Sequence, residues 1–305
     1  MNQDSWGLVL AGGGGKGAYQ AGVMKALAER GWDEKITAVS GTSIGALNAA
    51  LFVMGDVEKT EAIWSSISPL MFLDVEFGYE EGKPRDGVFS RDGLLKLMEE
   101  HLDYGTLSSS PRRIIVSASR KEGSGHVAEY FSLNGRSADE IRDILLASSA
   151  LPVIYSSVQV GEESYRDGGL GDNIPIRPLH DLGYRHLIVV GLERDLKLNL
   201  MTFPGTEILP ILPSVDLGDF VSGTLDFTRE GALRRMHAGY EDACAMLTWY
   251  AQEDREPWSV YREKYMARAE ELEKQIDGEA RRRKLQERVD EGLDKIKDLM
   301  KKYDI

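Results

Sequence analysis

With 305 residues, 42% of them hydrophobic, and a formal net charge of −13 at pH 7, the chain can bury a large core in one major domain plus an accessory segment. Its acidity argues against nucleic acid and against a broad electrostatic grip on anionic membranes. The single cysteine, Cys244, rules out an intramolecular disulfide and a multi-cysteine metal site and reads as a small core residue on a helix rather than a nucleophile. No stretch reaches transmembrane length, and the polar opening Met1-Asn2-Gln3-Asp4-Ser5 lacks a basic n-region, so the expected compartment is the cytoplasm.

From the N-terminus, Leu8-Val9-Leu10 reads as a strand that runs into Ala11-Gly12-Gly13-Gly14-Gly15-Lys16-Gly17 and then a helix pattern from Ala18 to Leu27. Consecutive glycines can turn successive N–H groups toward one point at a helix N-terminus, which suits a phosphate or an oxyanion. Gly12, Gly14 and Gly17 match the dinucleotide spacing, but Asp33 and Glu34 precede the second strand and no carboxylate ends it. A P-loop fails because Lys16 is followed by Gly17 rather than Ser or Thr. The oxyanion hole is the better reading; Gly17, Ala18, Ala21 and Gly22 also suit close helix packing.

The second strand, Ile36-Thr37-Ala38-Val39, leads to Gly41-Thr42-Ser43-Ile44-Gly45 and a small-residue helix from Ala46 to Leu51. A serine on such a strand-to-helix elbow has its hydroxyl exposed above the sheet, which makes Ser43 the candidate nucleophile. Further on, Ile67 to Leu73 followed by the polar Glu80 to Gly87 reads either as an irregular loop with an apolar core-facing half or as a lid.

Arg113–Ser117 and Val127–Phe131 read as strands around a turn at Gly123-Ser124-Gly125-His126, and Ser137 caps a helix that runs to Leu146. Asp167 stands among glycines, in Tyr165-Arg166-Asp167-Gly168-Gly169-Leu170-Gly171-Asp172-Asn173-Ile174-Pro175. It is either a hairpin-turn signal or a loop carboxylate brought close to another backbone. The five histidines, His101, His126, His180, His186 and His237, carry no distinctive motif and read as surface or packing residues.

His186–Val190 reads as a buried strand, whereas Leu196 to Leu217, with Pro204, Pro210 and Pro213, reads as a loop-rich crossing. From Asp219 to Tyr250 a helical pattern carries Phe220, Leu225, Leu233, Met236 and Met246. Asp216, Asp219, Glu241 and Asp242 lack metal-loop spacing and read as solvated charges. Beyond Trp258 two amphipathic stripes follow, Tyr261, Tyr265, Ala269, Leu272 and Ile276, then Leu285, Val289, Leu293, Ile296 and Leu299. They suit a docked helical hairpin or a dimerisation arm; Arg281-Arg282-Arg283-Lys284 is diluted as a lipid contact by the acidic residues after it. The alternation of strand and helix predicts a three-layer α/β domain with both glycine motifs at the carboxyl ends of strands.

The glycine loop with a basic residue, the G-x-S-x-G elbow and the Asp-Gly-Gly triplet, in that order, resemble the patatin-like phospholipase family. Ala147-Ser148-Ser149-Ala150-Leu151-Pro152 and Asn173-Ile174-Pro175 add to the resemblance, which covers about residues 5–195. It implies a three-layer α/β/α sandwich of patatin type, with a catalytic domain over 1–250 and a helical extension over 251–305. It also implies a Ser-Asp dyad without histidine, Ser43 as nucleophile and Asp167 as base, with Gly13, Gly14 and Gly15 supplying oxyanion-hole amides. Lys16 matches the family's basic position, and Gly12, Gly17, Gly41, Gly45, Gly168 and Gly169 complete the motifs. The implied activity is hydrolysis of lipid carboxylic esters, as in phospholipase A or lysophospholipase. An acyltransferase or thioesterase on the same serine and a silent regulatory module remain open. Expected partners are a lipid or ester substrate, transient contact with a membrane surface and a second copy through the C-terminal helices; no cofactor or metal is expected.

Overall fold

The computed structural model describes residues 5–68, 79–80, 83–84, 90–271 and 274. The chain divides into two compact units, Met1–Ala251 and Gln252–Ile305. In the first unit, Trp6–Leu10 (β1), Ile36–Thr42 (β2), Arg113–Glu122 (β5), His186–Val190 (β9) and Glu207–Ile211 (β10) lie parallel, and a minor pair, Tyr79–Glu80 (β3) and Lys83–Pro84 (β4), stands apart. Gly125–Ser132 (β6) and Glu163–Asp167 (β8) both run antiparallel to β5, and Val158–Val160 (β7) pairs with β8. The sheet order is β10-β9-β1-β2-β5-β8-β7, with β6 also on β5.

Helices cover both faces. Val9, Ala38, Ile115, Leu187 and Val189 pack against Ile176 and Leu179 around the short helix Arg177–Asp181 (α7). Their strand neighbours, such as Leu8, Val39, Ile114 and Ile188, are fully buried toward the other face. That side holds Ala18–Glu29 (α1), Ile44–Met54 (α2), Val57–Ser66 (α3) and the long Arg229–Tyr250 (α8). Helices α1 and α8 touch backbone to backbone: a Cβ on Gly22 would lie 1.8 Å from the Met236 carbonyl, and one on Gly239 1.9 Å from that of Tyr19. Asp92–His101 (α4), Tyr104–Ser109 (α5) and Ala138–Ser148 (α6) complete the unit; α6 opens on a full capping box between Ser137 and Glu140.

Strand β5 fixes the site. β6 pairs with residues 115–122 on one edge, so β2, pairing with 113–117, and β8, pairing with 118–120, must share the other. β2 runs parallel to β5 and β8 antiparallel, so the two strands meet head to head. Thr42 lies opposite Ser117 and Asp167 opposite Ala118.

Three expectations need correction. Residues 196–217 are not all loop, because they hold β10. Pro210 sits inside it, tolerated because β10 is an edge strand whose outer side needs no ladder donor. The helix expected from Asp219 begins at Arg229, after a π-turn at Phe220–Thr224, and Phe220 and Leu233 are exposed rather than packed. Asp242 is buried, not solvated, and accepts hydrogen bonds from the Tyr19 hydroxyl and the Ser214 N–H, both at 2.9 Å.

In the second unit a helical run covers 258–271, with Tyr261 and Tyr265 rings stacked at 6.4 Å. Most of the lid candidate, Arg281 to Lys284 and the stripe from Leu285 to Leu299 lie outside the described residues, as do Leu272 and Ile276.

Candidate active site

Ser43 is the single residue between β2 and α2, and its backbone sits at φ 55°, ψ −125°. A non-glycine residue there is strained, and the surroundings hold it. The Ser43 N–H donates to Ser148 Oγ at 2.8 Å, and the buried Ser148 hydroxyl donates to the Ser117 carbonyl at 2.7 Å. The Ser43 carbonyl accepts from the Ala46 N–H at 2.9 Å and opens α2. Gly41 and Gly45 make the elbow sterically feasible: a Cβ on Gly41 would meet the Gly45 carbonyl at 2.3 Å, and one on Gly45 the Leu10 carbonyl at 2.3 Å.

The Ser43 hydroxyl donates to Asp167 Oδ2 at 2.7 Å. The other carboxylate oxygen, Oδ1, accepts from the Gly169 N–H at 2.8 Å, and the Asp167 N–H donates to the Ala150 carbonyl at 2.9 Å. Asp167 is 4% exposed. Burial pushes its carboxyl up to about 6, against the opposing pull of the bonds from Ser43 and Gly169. Gly168 packs against the Ser117 carbonyl, which a Cβ would meet at 2.2 Å.

The glycine loop closes the site from β1. Gly12 N–H donates to the Asn173 carbonyl and Asn173 Nδ2 to the Gly12 carbonyl, each at 3.2 Å, a reciprocal tie to the loop after Asp167. That second loop is tied to β2 and β6 as well. The Thr42 hydroxyl donates to the Asp172 carbonyl at 2.9 Å, and the Tyr130 hydroxyl to Asp172 Oδ2 at 2.7 Å. Beneath the loop a buried network fixes both its ends: Gln20 Nε2 donates to Ala11 O (2.7 Å), Asn48 Nδ2 to Gly17 O (3.0 Å) and Gln20 Oε1 (2.8 Å), and Trp64 Nε1 to Asn48 Oδ1 (3.1 Å). Among the described residues no acceptor takes the N–H groups of Gly13, Gly14 or Gly15. Gly13 and Gly14 line a cleft of about 340 Å³ with Ser43, Asp167 and Lys16. Gly15 is buried behind them, against the Asp226 carbonyl.

The sequence model of the patatin-like phospholipase family matches residues 8–180. The chain belongs to the patatin-like phospholipase family. Among relatives of this patatin-like chain, Neuropathy target esterase sws of Drosophila melanogaster is 28% identical over 65% of the chain and 14% of its own length. Lysophospholipase nte1 of Aspergillus terreus is 29% identical over 59% of the chain and 11% of its length. An uncharacterised NTE family protein of Mycobacterium bovis is 28% identical over 80% and 36%. The patatin-like chain thus spans only a minor part of these relatives. Among solved structures, VipD from Legionella pneumophila superposes with a TM-score of 0.49 at 16% identity, over 80% of this chain and 67% of its own.

The walls of the patatin-like cleft are largely apolar, with Ile44, Leu47, Leu94, Leu151, Ile154 and Leu192 around the polar floor. No histidine lines it among the described residues; His186 instead meets Glu207 at 3.0 Å and the Trp6 ring at 5.1 Å. No group of His, Cys, Asp or Glu among the described residues is placed to hold a metal, and no described helix is long and apolar enough to cross a membrane.

Sequence reasoning missed two supports. Ser148 was noted only as part of a motif, although a Ser-Ser pair at a helix end carries hydroxyls free to bond locally. The segment from Leu217 to Phe227, read from sequence as a loop end and the start of a helix, is the second, a strap packed on the glycine loop. Arg235, 1% exposed, ties it down by donating to the carbonyls of Leu217 (3.3 Å), Ser222 (2.7 Å) and Asp226 (2.9 Å) and to Asp226 Oδ2 (2.7 Å). Its signals were the cap residues Asp219 and Thr228.

Proposed function

We propose that this chain hydrolyses carboxylic esters of lipids through an acyl-enzyme on Ser43. The observation that carries the reading is the 2.7 Å hydrogen bond from Ser43 Oγ to the buried Asp167 carboxylate, in a cleft with no histidine among its described lining residues. Asp167 takes the hydroxyl proton as Ser43 Oγ attacks the ester carbonyl. The N–H groups of Gly13 and Gly14, which line the cleft and lack acceptors among the described residues, stabilise the oxyanion of the tetrahedral intermediate, whereas Gly15 lies behind them and away from it. Asp167 returns the proton to the departing alcohol, then takes a proton from the water that attacks the acyl-enzyme and passes it to Ser43 Oγ as the fatty acid leaves. Lys16 supplies positive charge at the rim of the loop.

Apolar walls favour an acyl chain over a sugar or peptide, and the relative named as a lysophospholipase points to a single-chain phospholipid as the first substrate to try. A charge of −13 is compatible with a cytoplasmic enzyme acting on neutral or zwitterionic lipid.

The test is intact-mass analysis after exposure to a lipid-like fluorophosphonate. The reading expects one adduct, on Ser43, absent in Ser43→Ala and strongly slowed in Asp167→Ala. An unmodified, folded wild-type protein, or an adduct that survives Ser43→Ala, would overturn it.

A further inference from the structure

Nine large apolar side chains are exposed among the described residues, and four of them either line the cleft or directly neighbour in sequence a residue that does. Leu170 and Phe220, 41% and 53% exposed, line the cleft itself; Val153, 69% exposed, adjoins the lining residue Ile154, and Val221, 71% exposed, adjoins Phe220. Apolar side chains scattered singly need no explanation, whereas a set converging on one opening does.

Two features show that these side chains are held outward. Val153 has φ 71°, a left-handed conformation that is strained for a β-branched residue, yet its side chain gains little burial in return. Phe220 and Val221 open a π-turn whose first N–H groups are satisfied by Asp219 Oδ1, from Val221 at 2.9 Å and from Ser222 at 2.8 Å. Arg235 fixes the other end of that segment. The rim is therefore a fixed apolar surface, and its continuity with an apolar cleft identifies what it meets. An acyl chain leaving a lipid layer for the cleft must cross this rim, and the crossing avoids water only if the rim is itself seated in the layer. The net charge of −13 repels an anionic layer and selects an uncharged or zwitterionic one.

We infer that Val153, Leu170, Phe220 and Val221 form a docking surface that seats the cleft mouth on a zwitterionic lipid–water interface. The inference rests on the lipid-ester reading of the cleft, so its test measures binding separately from chemistry. Ser43→Ala protein is centrifuged with phosphatidylcholine vesicles, with and without the pair Val153→Asn and Val221→Ser. Asn tolerates the left-handed backbone at 153, and neither residue lines the cleft. Removing two buried valines from the layer is expected to lower partitioning at least about tenfold, while the same pair in otherwise native protein turns over a water-soluble short-chain ester within about twofold of wild type. Vesicles rich in phosphatidylserine should bind Ser43→Ala protein more weakly than phosphatidylcholine vesicles.

Equal partitioning of the paired variant, no partitioning of the Ser43→Ala parent, or a preference for anionic vesicles would overturn the inference. So would self-association of the parent that the paired variant abolishes, since a second copy would then cover the rim. Vesicle binding that persists while the fluorophosphonate leaves Ser43 unmodified would overturn the hydrolase reading and leave the docking surface standing.

Discussion

Replacing Asp167 by Asn should inactivate the protein and stabilise it, with a gain that depends on pH in a defined direction. The Asp167 carboxyl ionises near 6 in the fold against 3.8 in its ordinary state. At about 1.4 kcal/mol per pH decade, keeping it ionised at pH 8 costs the folded state about 3 kcal/mol, a sizeable share of a typical stability of about 5–15 kcal/mol. The folded state binds the proton more tightly, so the stabilising contribution of Asp167 is complete below pH 3.8. It is lost as pH rises through 6. The amide introduced by Asp167→Asn does not titrate, and its side-chain carbonyl can keep the bond from the Gly169 N–H. Urea unfolding of wild type and Asp167→Asn at pH 4, 5, 6 and 8 should therefore give a difference close to its low-pH baseline at pH 4. The difference should grow toward about 3 kcal/mol in favour of Asn by pH 8. An unchanged difference between pH 4 and pH 8, or one that grows in favour of Asp, would refute burial as the cause that tunes this carboxyl.

The same carboxyl predicts an acid limb in kcat/KM for a soluble ester near pH 6, since the base must be ionised; a profile flat down to pH 4.5 would count against Asp167 as base. Ser148→Ala leaves the half-buried Ser43 N–H without its acceptor and should cost about 1 kcal/mol of stability. It should also lower kcat far more than it raises KM, as read from steady-state kinetics with thermal unfolding as control. Gly14→Ala places a Cβ 2.2 Å from the Thr224 carbonyl at φ 55°. The displaced loop should lose about 10²–10³ in kcat while circular dichroism stays native. Arg235→Met strips four hydrogen bonds from the segment over the glycine loop, leaves Asp226 with only its bonds from Thr228, and should cost about 3–5 kcal/mol in denaturant unfolding.

What the sequence disclosed follows from how local each signal is. The glycine loop, the serine elbow, the capped helix α6 and the apolar strand β9 are each written within a dozen consecutive residues, so periodicity and capping rules reach them. Strand β8 was not legible as a strand. Glu163-Ser164-Tyr165-Arg166-Asp167 turns only Tyr165 and Asp167 inward, and one of those two is a carboxylate. Pro210 hid β10 because a proline argues against a strand unless the strand is known to lie on an edge. Asp242 looked like a surface charge because its donors, Tyr19 and the Ser214 N–H, belong to other elements. The contact between Ser43 and Asp167 joins positions 124 residues apart, and no local rule carries that distance.

The meeting of β2 and β8 on one edge of β5 ties chemistry to the completion of folding. Ser43 is set by the first half of the sheet, but Asp167 arrives only when β8 has found residues 118–120 of β5. A slip of one residue in that pairing would carry the carboxylate about 3.4 Å along the strand and turn it to the opposite face of the sheet. A partly folded or mispaired chain therefore holds an ordinary serine with no base beside it. On the proposed mechanism the pair of Ser43 and Asp167 doubles as a check on strand register, so that lipid-ester hydrolysis would report a sheet that has closed correctly.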